Sequence, residues 1–390
     1  LLLSNRGRWI WSEEPFTFAL NKGKISITDG LGKIESGSAG DTLREAYLHV
    51  SKTYFPPSGK VVEPLMLEKP QYNTWIQLTY NQNQKDILAY AHAIVDNGFP
   101  TGVLMIDDKW QSQYGDLEFD RKKIPQPKAM MKELHGLGFK IMLWTTPFVD
   151  LKSKNYKILA DKKLLLLDGK TGNPARIRWW NGSSAALDLT NPAAVAWYQQ
   201  QLTCLVKEYG ADGFKFDAGD ADFYKGNLIA HDNKRTNGNI QSEAFAKIGL
   251  DYPLNEYRAC WKMGGQALGQ RLRDKNYSYE PIRELIPGMC ALGVMGHPFS
   301  CPDMIGGGEY KSFENVKRKG SFDQELIVRS AQTHALMPMM QFSVAPWRIL
   351  DKEHLSIVRD AAELHTQFAA DYLRLAKQAA RTGEPIIRYM

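Results

Sequence analysis

Cysteine is scarce in this chain: Cys204, Cys260, Cys290 and Cys301 are the four among 390 residues. No two stand in a C-x-x-C spacing, which argues against a structural zinc site, and four are too few to staple a chain of this size. They read as small core residues. No stretch of 18 apolar residues occurs, so no segment reads as a membrane-spanning helix. Long runs of one charge are missing as well: the net charge of +6 is spread thinly and no five or six Lys/Arg are consecutive. Nucleic acid and anionic membranes are therefore not indicated as partners, and Lys317-Arg318-Lys319 reads as a solvated loop. Histidine is limited to eight residues, none at ligand spacing, so His297 and His334 read as structural or rim positions rather than catalytic ones. Internal repeats and low-complexity segments are absent.

What the chain does have is core material, 43% hydrophobic with 11% aromatic residues, enough for one large domain. Residues 1–70 carry polar alternation and glycine punctuation, with a helical period only over 41–52. They read as the end of a β-rich region. From there the rhythm becomes strand, helix, strand. Strands are predicted over 74–79, 102–106, 140–146 and 213–216, with further ones over 266–270, 291–294 and 339–343. Helices are predicted over 84–97, closed by Gly98, over 128–137 behind Pro127, over 191–209, and over 353–379. This alternation predicts a parallel sheet closed into a (β/α)8 barrel over 71–380. The chain begins Leu1-Leu2-Leu3 without methionine, and Pro385 to Met390 read as a strand beginning. We expect a piece of a longer protein, with 381–390 the start of a truncated C-terminal β domain. Asn181-Gly182-Ser183 and Asn276-Tyr277-Ser278 match the glycosylation pattern, which fits a secreted, periplasmic or secretory-pathway location better than the cytoplasm.

The chemistry concentrates at predicted strand ends. Gly213 to Phe216 is an apolar strand that stops in Asp217 and Asp220, and a carboxylate there is costly unless it has a task. Asp107-Asp108 with Trp110, and Trp144 with Asp150, end two other strands. In a barrel, parallel strand ends meet at one mouth, beneath the long insertions that follow the third and fourth strands. Carboxylates bind sugar hydroxyls and indoles stack on sugar C–H faces, so such a pocket suits an oligosaccharide or other glycoside. Plainer readings stand beside this one. Asp217 could cap a helix or pair with Lys215, and Asp107-Asp108 could hold a divalent cation. Asp274 could belong to a solvated ion pair with its neighbours Arg271, Arg273 and Lys275. Arg258 could be a surface helix residue and Trp144 and Trp180 core aromatics, as Trp75, Trp197 and Trp261 are expected to be.

The motifs resemble glycoside hydrolase family 31, retaining α-glycosidases on a (β/α)8 barrel. The likeness rests on Gly213-Phe214-Lys215-Phe216-Asp217-Ala218-Gly219 and on Ile106-Asp107-Asp108. It extends through Trp180-Asn181-Gly182, Asp188-Leu189-Thr190-Asn191-Pro192 and Asp303-Met304-Ile305-Gly306-Gly307, covering roughly residues 73–350. The resemblance implies that Asp217 is the nucleophile and Asp274 the general acid/base. It implies substrate-binding roles for Asp107, Asp108, Trp144, Trp180, Lys215, Arg258 and Asp303, with Arg258 at the family spacing ahead of Asp274. It implies no cofactor and no metal, and an N-terminal stretch that is the remnant of a β-sandwich. Double displacement sets the two carboxyl groups about 5–5.5 Å apart, with Asp217 ionised and Asp274 holding a proton near neutral pH through burial or nearby negative charge.

Phe342-Ser343 is followed by Val344-Ala345-Pro346-Trp347, without the histidine usual in the family's α-glucosidases. With Ile106-Asp107-Asp108-Lys109-Trp110 and Tyr114-Gly115-Asp116, this resembles the branch that holds bacterial α-galactosidases and the myogenesis-regulating glycosidase. The expectation is an α-galactosidase. α-Glucosidase or α-xylosidase activity on the same residues is the nearer alternative, and a non-catalytic carbohydrate-binding or regulatory barrel the more distant one. The sequence leaves the oligomeric state open.

Overall fold

The computed structural model describes residues 1–314 and 322–389; Lys317-Arg318-Lys319 lie outside them. Nine short segments pair in parallel within one sheet. In chain order they are Gln71–Asn73, Val103–Ile106, Lys140–Thr145, Gly213–Phe216, Leu254–Tyr257, Gln270–Arg271, Ser300–Cys301, Met304–Ile305 and Gln341–Phe342. The seventh barrel strand is broken at Pro302-Asp303. Its first half pairs with Gln270–Arg271 and its second with Gln341–Phe342, and Asp303 takes φ +109 at the break. That break lets one strand serve both sides of the seam, so the sheet closes as a (β/α)8 barrel.

Side chains alternate along the strands as a closed sheet requires. Leu104, Ile106, Ile141, Leu143, Phe214 and Phe216 pack into the layer shared with the surrounding helices. Their neighbours Val103, Met105, Met142 and Leu254 form a separate inner cluster with Met66 and Leu67. Two residues further along the strands, the alternate positions change from apolar to charged or hydrogen-bonding: Asp107, Trp144, Lys215 and Glu256 follow Met105, Met142, Gly213 and Leu254. The polar layer begins where the strands end, which is where a barrel builds its site.

Helices Gln84–Asp96, Pro127–Gly136 and Pro192–Tyr209 stand where the apolar spacing predicts them. Asn83 caps the first of them and Asn191 the third, which Gly210 ends in a left-handed turn. Four expectations need correction. The first strand covers Gln71–Asn73 rather than 74–79: Asn73 Oδ1 accepts the Trp75 N–H and starts the helical turn Trp75–Leu78. Residues 291–294 end the helix Tyr279–Val294, whose interior Pro287 disguised it. The strand expected over 266–270 is Gln270–Arg271, preceded by Leu254–Tyr257, which the sequence reading passed over. Residues 353–379 belong to two helices, Lys352–Gln367 and Ala369–Thr382, that meet at Phe368.

Residues 1–54 carry antiparallel strands of the kind a sandwich remnant leaves. Leu2–Leu3, Arg8–Trp11 and Glu35–Ser38 form a small sheet. Phe16–Asn21 and Lys24–Gly30 form a hairpin whose two turn residues, Lys22 and Gly23, both have positive φ. Trp11 stacks on Tyr54 at the end of helix Leu43–Tyr54 and fixes this layer to it. Pro385 to Tyr389, expected as a strand, is irregular. No helix of the described residues is long and apolar enough to cross a membrane. Cys290 and Cys301 are buried as expected, whereas Cys204 is exposed on helix Pro192–Tyr209.

Candidate active site

Asp217 follows directly on the strand Gly213–Phe216, its N–H donated to the Thr145 carbonyl of the neighbouring strand at 2.8 Å. The backbone then turns sharply, with Ala218 at φ +63, and the Ala218 N–H donates to Asp217 Oδ1 at 3.0 Å. Left-handed residues after both Asp108 (Lys109, φ +71) and Asp217 mark strand ends held in uncommon conformations, as sites often are. Trp144, buried on the adjacent strand, donates its indole N–H to Asp217 Oδ2 at 2.8 Å. Arg258 lies 3.6 Å from Asp217 Oδ1 and is itself held by Asp220 at 3.1 Å. Asp217 is thus provided with donors on both oxygens.

Asp217 and Asp274 line one cavity of about 410 Å3, together with Asp107, Asp108, Lys215 and Arg258. Trp144 and Trp180 form part of its wall, and Arg271 part of its floor. Lys215 and Asp107 make a buried ion pair of 2.7 Å. Burial opposes the lysine charge most strongly, but Asp107, Asp217 and Glu256 together outweigh it and raise the ammonium pKa. Lys215 is thus bonded to Asp107, and its ammonium answers the Asp107 charge that a divalent cation would have needed. Asp108 accepts from Tyr114 Oη at 2.9 Å and from Asn181 Nδ2 at 2.7 Å. Burial, then the charge of Asp107, pushes its carboxyl up to about 7 against those bonds. Asn181, read from the sequence as a glycosylation acceptor, thus spends its amide on the pocket.

Trp180 is 43% exposed and stacks over the Arg258 guanidinium at 4.8 Å, making a half-open aromatic wall. Trp75 is not the core residue expected: it lines the cavity and donates its indole N–H to the Gly308 carbonyl at 3.2 Å. Tyr80, Tyr310 and Lys311 complete that rim. Their signal in the sequence was faint, since Tyr80 and Tyr310 lie in loops and Lys311 opens a one-turn helix, all placed by the closed barrel.

Two expectations for the acid/base side change. Asp303 does not line the cavity; it is fully buried, bonded to Arg271 Nη1 at 2.7 Å and to the Lys275 N–H at 2.8 Å. It organises the Asp274 loop from behind. Asp274 also differs from the expectation of a proton held near neutral pH. Burial pushes its pKa up, but Arg271, bonded at 2.7 Å, with Lys215 and Arg258, outweighs burial and lowers it to about 2. Arg271 and Glu256 are the functional residues the sequence reading missed. Arg271 was grouped with solvated charges but is 1% exposed, as is Glu256 beside it. Glu256 gave little signal, since it follows the polar Asn255 and precedes Tyr257-Arg258. Asp150 stays off the cavity wall and accepts from Ser184 Oγ. His297 and His334 are buried, and burial lowers both to about 4, so they stay neutral.

Myogenesis-regulating glycosidase of Mus musculus is 30% identical over 355 residues, 90% of this chain and 49% of its own length. An α-xylosidase of Emericella nidulans is 23% identical over 84% of this chain and 43% of its own. A cycloalternan-degrading enzyme from Trueperella pyogenes has the same fold, with a TM-score of 0.83 at 18% identity, covering 100% of this chain and 62% of that one. The chain spans about half the length of the curated relatives it matches. Residues 64–370 match the TIM-barrel domain of glycosyl hydrolases family 31, and the chain belongs to that family.

Proposed function

We propose that the protein is a retaining α-glycoside hydrolase acting on a terminal α-linked hexose, with galactose the preferred sugar. The observation that carries the reading is the pairing of two carboxylates on one sugar-sized cavity: Asp217 with donors on both oxygens, and Asp274 on the far side of the chain fold lining the same space. Asp217 attacks the anomeric carbon as the glycosidic bond breaks, and Asp274 delivers a proton to the departing oxygen. Asp274 then takes a proton from water, which releases the sugar from Asp217 with its original configuration. Asp107, Asp108 and Lys215 accept or donate to the hydroxyls of the innermost sugar, Arg258 steadies the nucleophile, and Trp144 and Trp180 wall the sugar.

Galactose is favoured by the absence of a histidine after Phe342-Ser343. Ser343 is spent structurally, accepting the Ile76 N–H at 2.7 Å. A second reading, α-xylosidase or α-glucosidase activity, draws on the α-xylosidase among the relatives. A non-catalytic binding barrel has no need of the Asp274 side chain on the cavity wall.

The test is hydrolysis of aryl α-galactoside, α-glucoside and α-xyloside by the wild type and by Asp217→Asn. The galactoside is expected to turn over fastest, with a loss of about 10³-fold or more in Asp217→Asn while sugar binding persists. Because Arg271 holds Asp274 as carboxylate, its acidic form grows as pH falls, so kcat/KM is expected to be higher at pH 5 than at pH 7.5. Preference for the xyloside would transfer the reading to its alternative, and undiminished hydrolysis by Asp217→Asn would end both.

A further inference from the structure

Asp274 is held from two sides by groups that take no part in the proposed reaction. On one side, the Arg271 guanidinium spans four polar partners: Nε faces Glu256 Oε1 at 3.2 Å, while Nη1 meets Asp274 Oδ1 and Asp303 Oδ1, each at 2.7 Å, and the Leu272 carbonyl at 3.2 Å. Glu256 is fixed in turn by Gln341 Nε2 at 2.6 Å from the last barrel strand, and Asp303 by the Lys275 N–H. Arg271, Glu256 and Asp303 are each 1% exposed, whereas the Asp274 side chain is 43% exposed. The network is therefore rigid at its buried end and presents one carboxyl to the cavity. On the other side, a methyl placed on Gly308 would stand 2.6 Å from Asp274 Cγ, so only a glycine lets the loop close against that carboxyl. Asp274 Oδ2 has no hydrogen-bond partner among the described residues, in contrast to Oδ1.

We propose that Arg271 is the positioning residue of the acid/base: anchored on Glu256 and Asp303, it engages Oδ1 of Asp274 so that Oδ2 alone exchanges the proton with the glycosidic oxygen and with water. The inference rests on the retaining mechanism proposed above. A planar guanidinium can reach Glu256 through one nitrogen and both aspartates through another, and the single ammonium of lysine cannot span the same partners. Arg271→Lys keeps the charge and loses the geometry. Glu256→Gln keeps the volume and removes one anchor.

The test compares two substrates of the same sugar: a methyl α-glycoside, whose leaving alkoxide needs the proton, and the α-glycosyl fluoride, whose leaving fluoride does not. General-acid assistance contributes about 10²–10⁴-fold. Arg271→Lys is expected to lose at least about 10²-fold in kcat/KM on the methyl glycoside and to stay within about threefold on the fluoride. Glu256→Gln should show the same selective loss to a smaller degree, and it carries the test if Arg271→Lys does not fold. Equal losses on both substrates, or none on the methyl glycoside, would overturn the positioning role while leaving the glycosidase reading intact. A wild type inactive on both substrates with galactose, glucose and xylose would remove the glycosidase reading and this inference with it.

Discussion

Asp107 and Asp108 are consecutive in the chain and alike in chemistry, yet the structure gives them different tasks. Asp107 has Lys215 at 2.7 Å and shares its charge with a buried cation. Asp108 accepts hydrogen bonds from the neutral donors Tyr114 and Asn181, and stands beside the Asp107 charge. Its carboxyl is raised from 3.8 to about 7 by burial first and by Asp107 second. A carboxyl raised on folding binds a proton more tightly in the native state. Its contribution to stability is therefore fully present below pH 3.8 and is lost as pH rises through about 7. Asp108→Asn removes that titration at nearly constant shape. We expect wild type to lose about 2–4 kcal/mol relative to Asp108→Asn between pH 5 and pH 8, read from thermal melts of the two proteins side by side. A difference between them that stays constant with pH would contradict the raised carboxyl.

The residue scale also shows how much of the site could be read from sequence. Asp217, Asp107 and Asp108 were legible because each puts charge at the end of a short apolar strand, where burial is costly, whereas Lys215 was named as a possible partner of Asp217 and came to the site through the resemblance. Arg271 was not, since Arg271, Arg273, Asp274 and Lys275 look like an ordinary solvated charge cluster until the sixth strand places Arg271 inside the barrel and leaves the others toward loop and cavity. Asp303 was assigned to substrate, but its neighbour in space is Arg271. Linear spacing found the right residue and could not give its direction.

Elements with a clear period were legible almost to the residue. Gln84–Asp96 and Pro192–Tyr209 carry an apolar stripe and side-chain caps, and both stand where their sequence places them. Short barrel strands carry no period, so Leu254–Tyr257 was passed over and Trp75–Leu78, with alternating polarity, mimicked a strand. Gly213 illustrates what decides these strands instead. A methyl at that position would stand 1.9 Å from the Leu254 carbonyl, so the fourth strand approaches the fifth through its glycine. This is the pairing that brings Asp217 alongside the Arg258 loop. Gly213→Ala is expected to force the two strands apart and lower stability by about 1–3 kcal/mol or more, as overpacking a filled core does. Circular dichroism melts would register this as a lower Tm. A melt indistinguishable from wild type would show that the fourth and fifth strands can part without cost.

At the scale of the molecule, closure of the barrel is what converts scattered motifs into one site. The break at Pro302-Asp303 joins the seventh strand to both its neighbours, and the same Asp303 steadies Arg271 behind Asp274. Fold closure and the placement of Asp274 thus share a residue. The sequence could announce the barrel through alternation and motif order, because those are properties of the chain. It could not announce which carboxyl faces which guanidinium, because those partners are set only when the seam closes. The sugar preference is equally a property of the closed cavity, where Asp108, Asn181 and Trp180 arrive from separate segments.

The central claim is that Asp217 forms a covalent bond to the sugar. It is tested most directly by incubating the protein with 5-fluoro-α-galactosyl fluoride and its glucose counterpart, whose good leaving group and slowed turnover allow a glycosyl-enzyme to accumulate. Mass spectrometry of the intact chain followed by peptide mapping is expected to find one sugar added, on Asp217, and none in Asp217→Asn. A sugar carried by any other residue, or turnover of an α-glycoside whose first-formed product has the inverted configuration, would contradict the account.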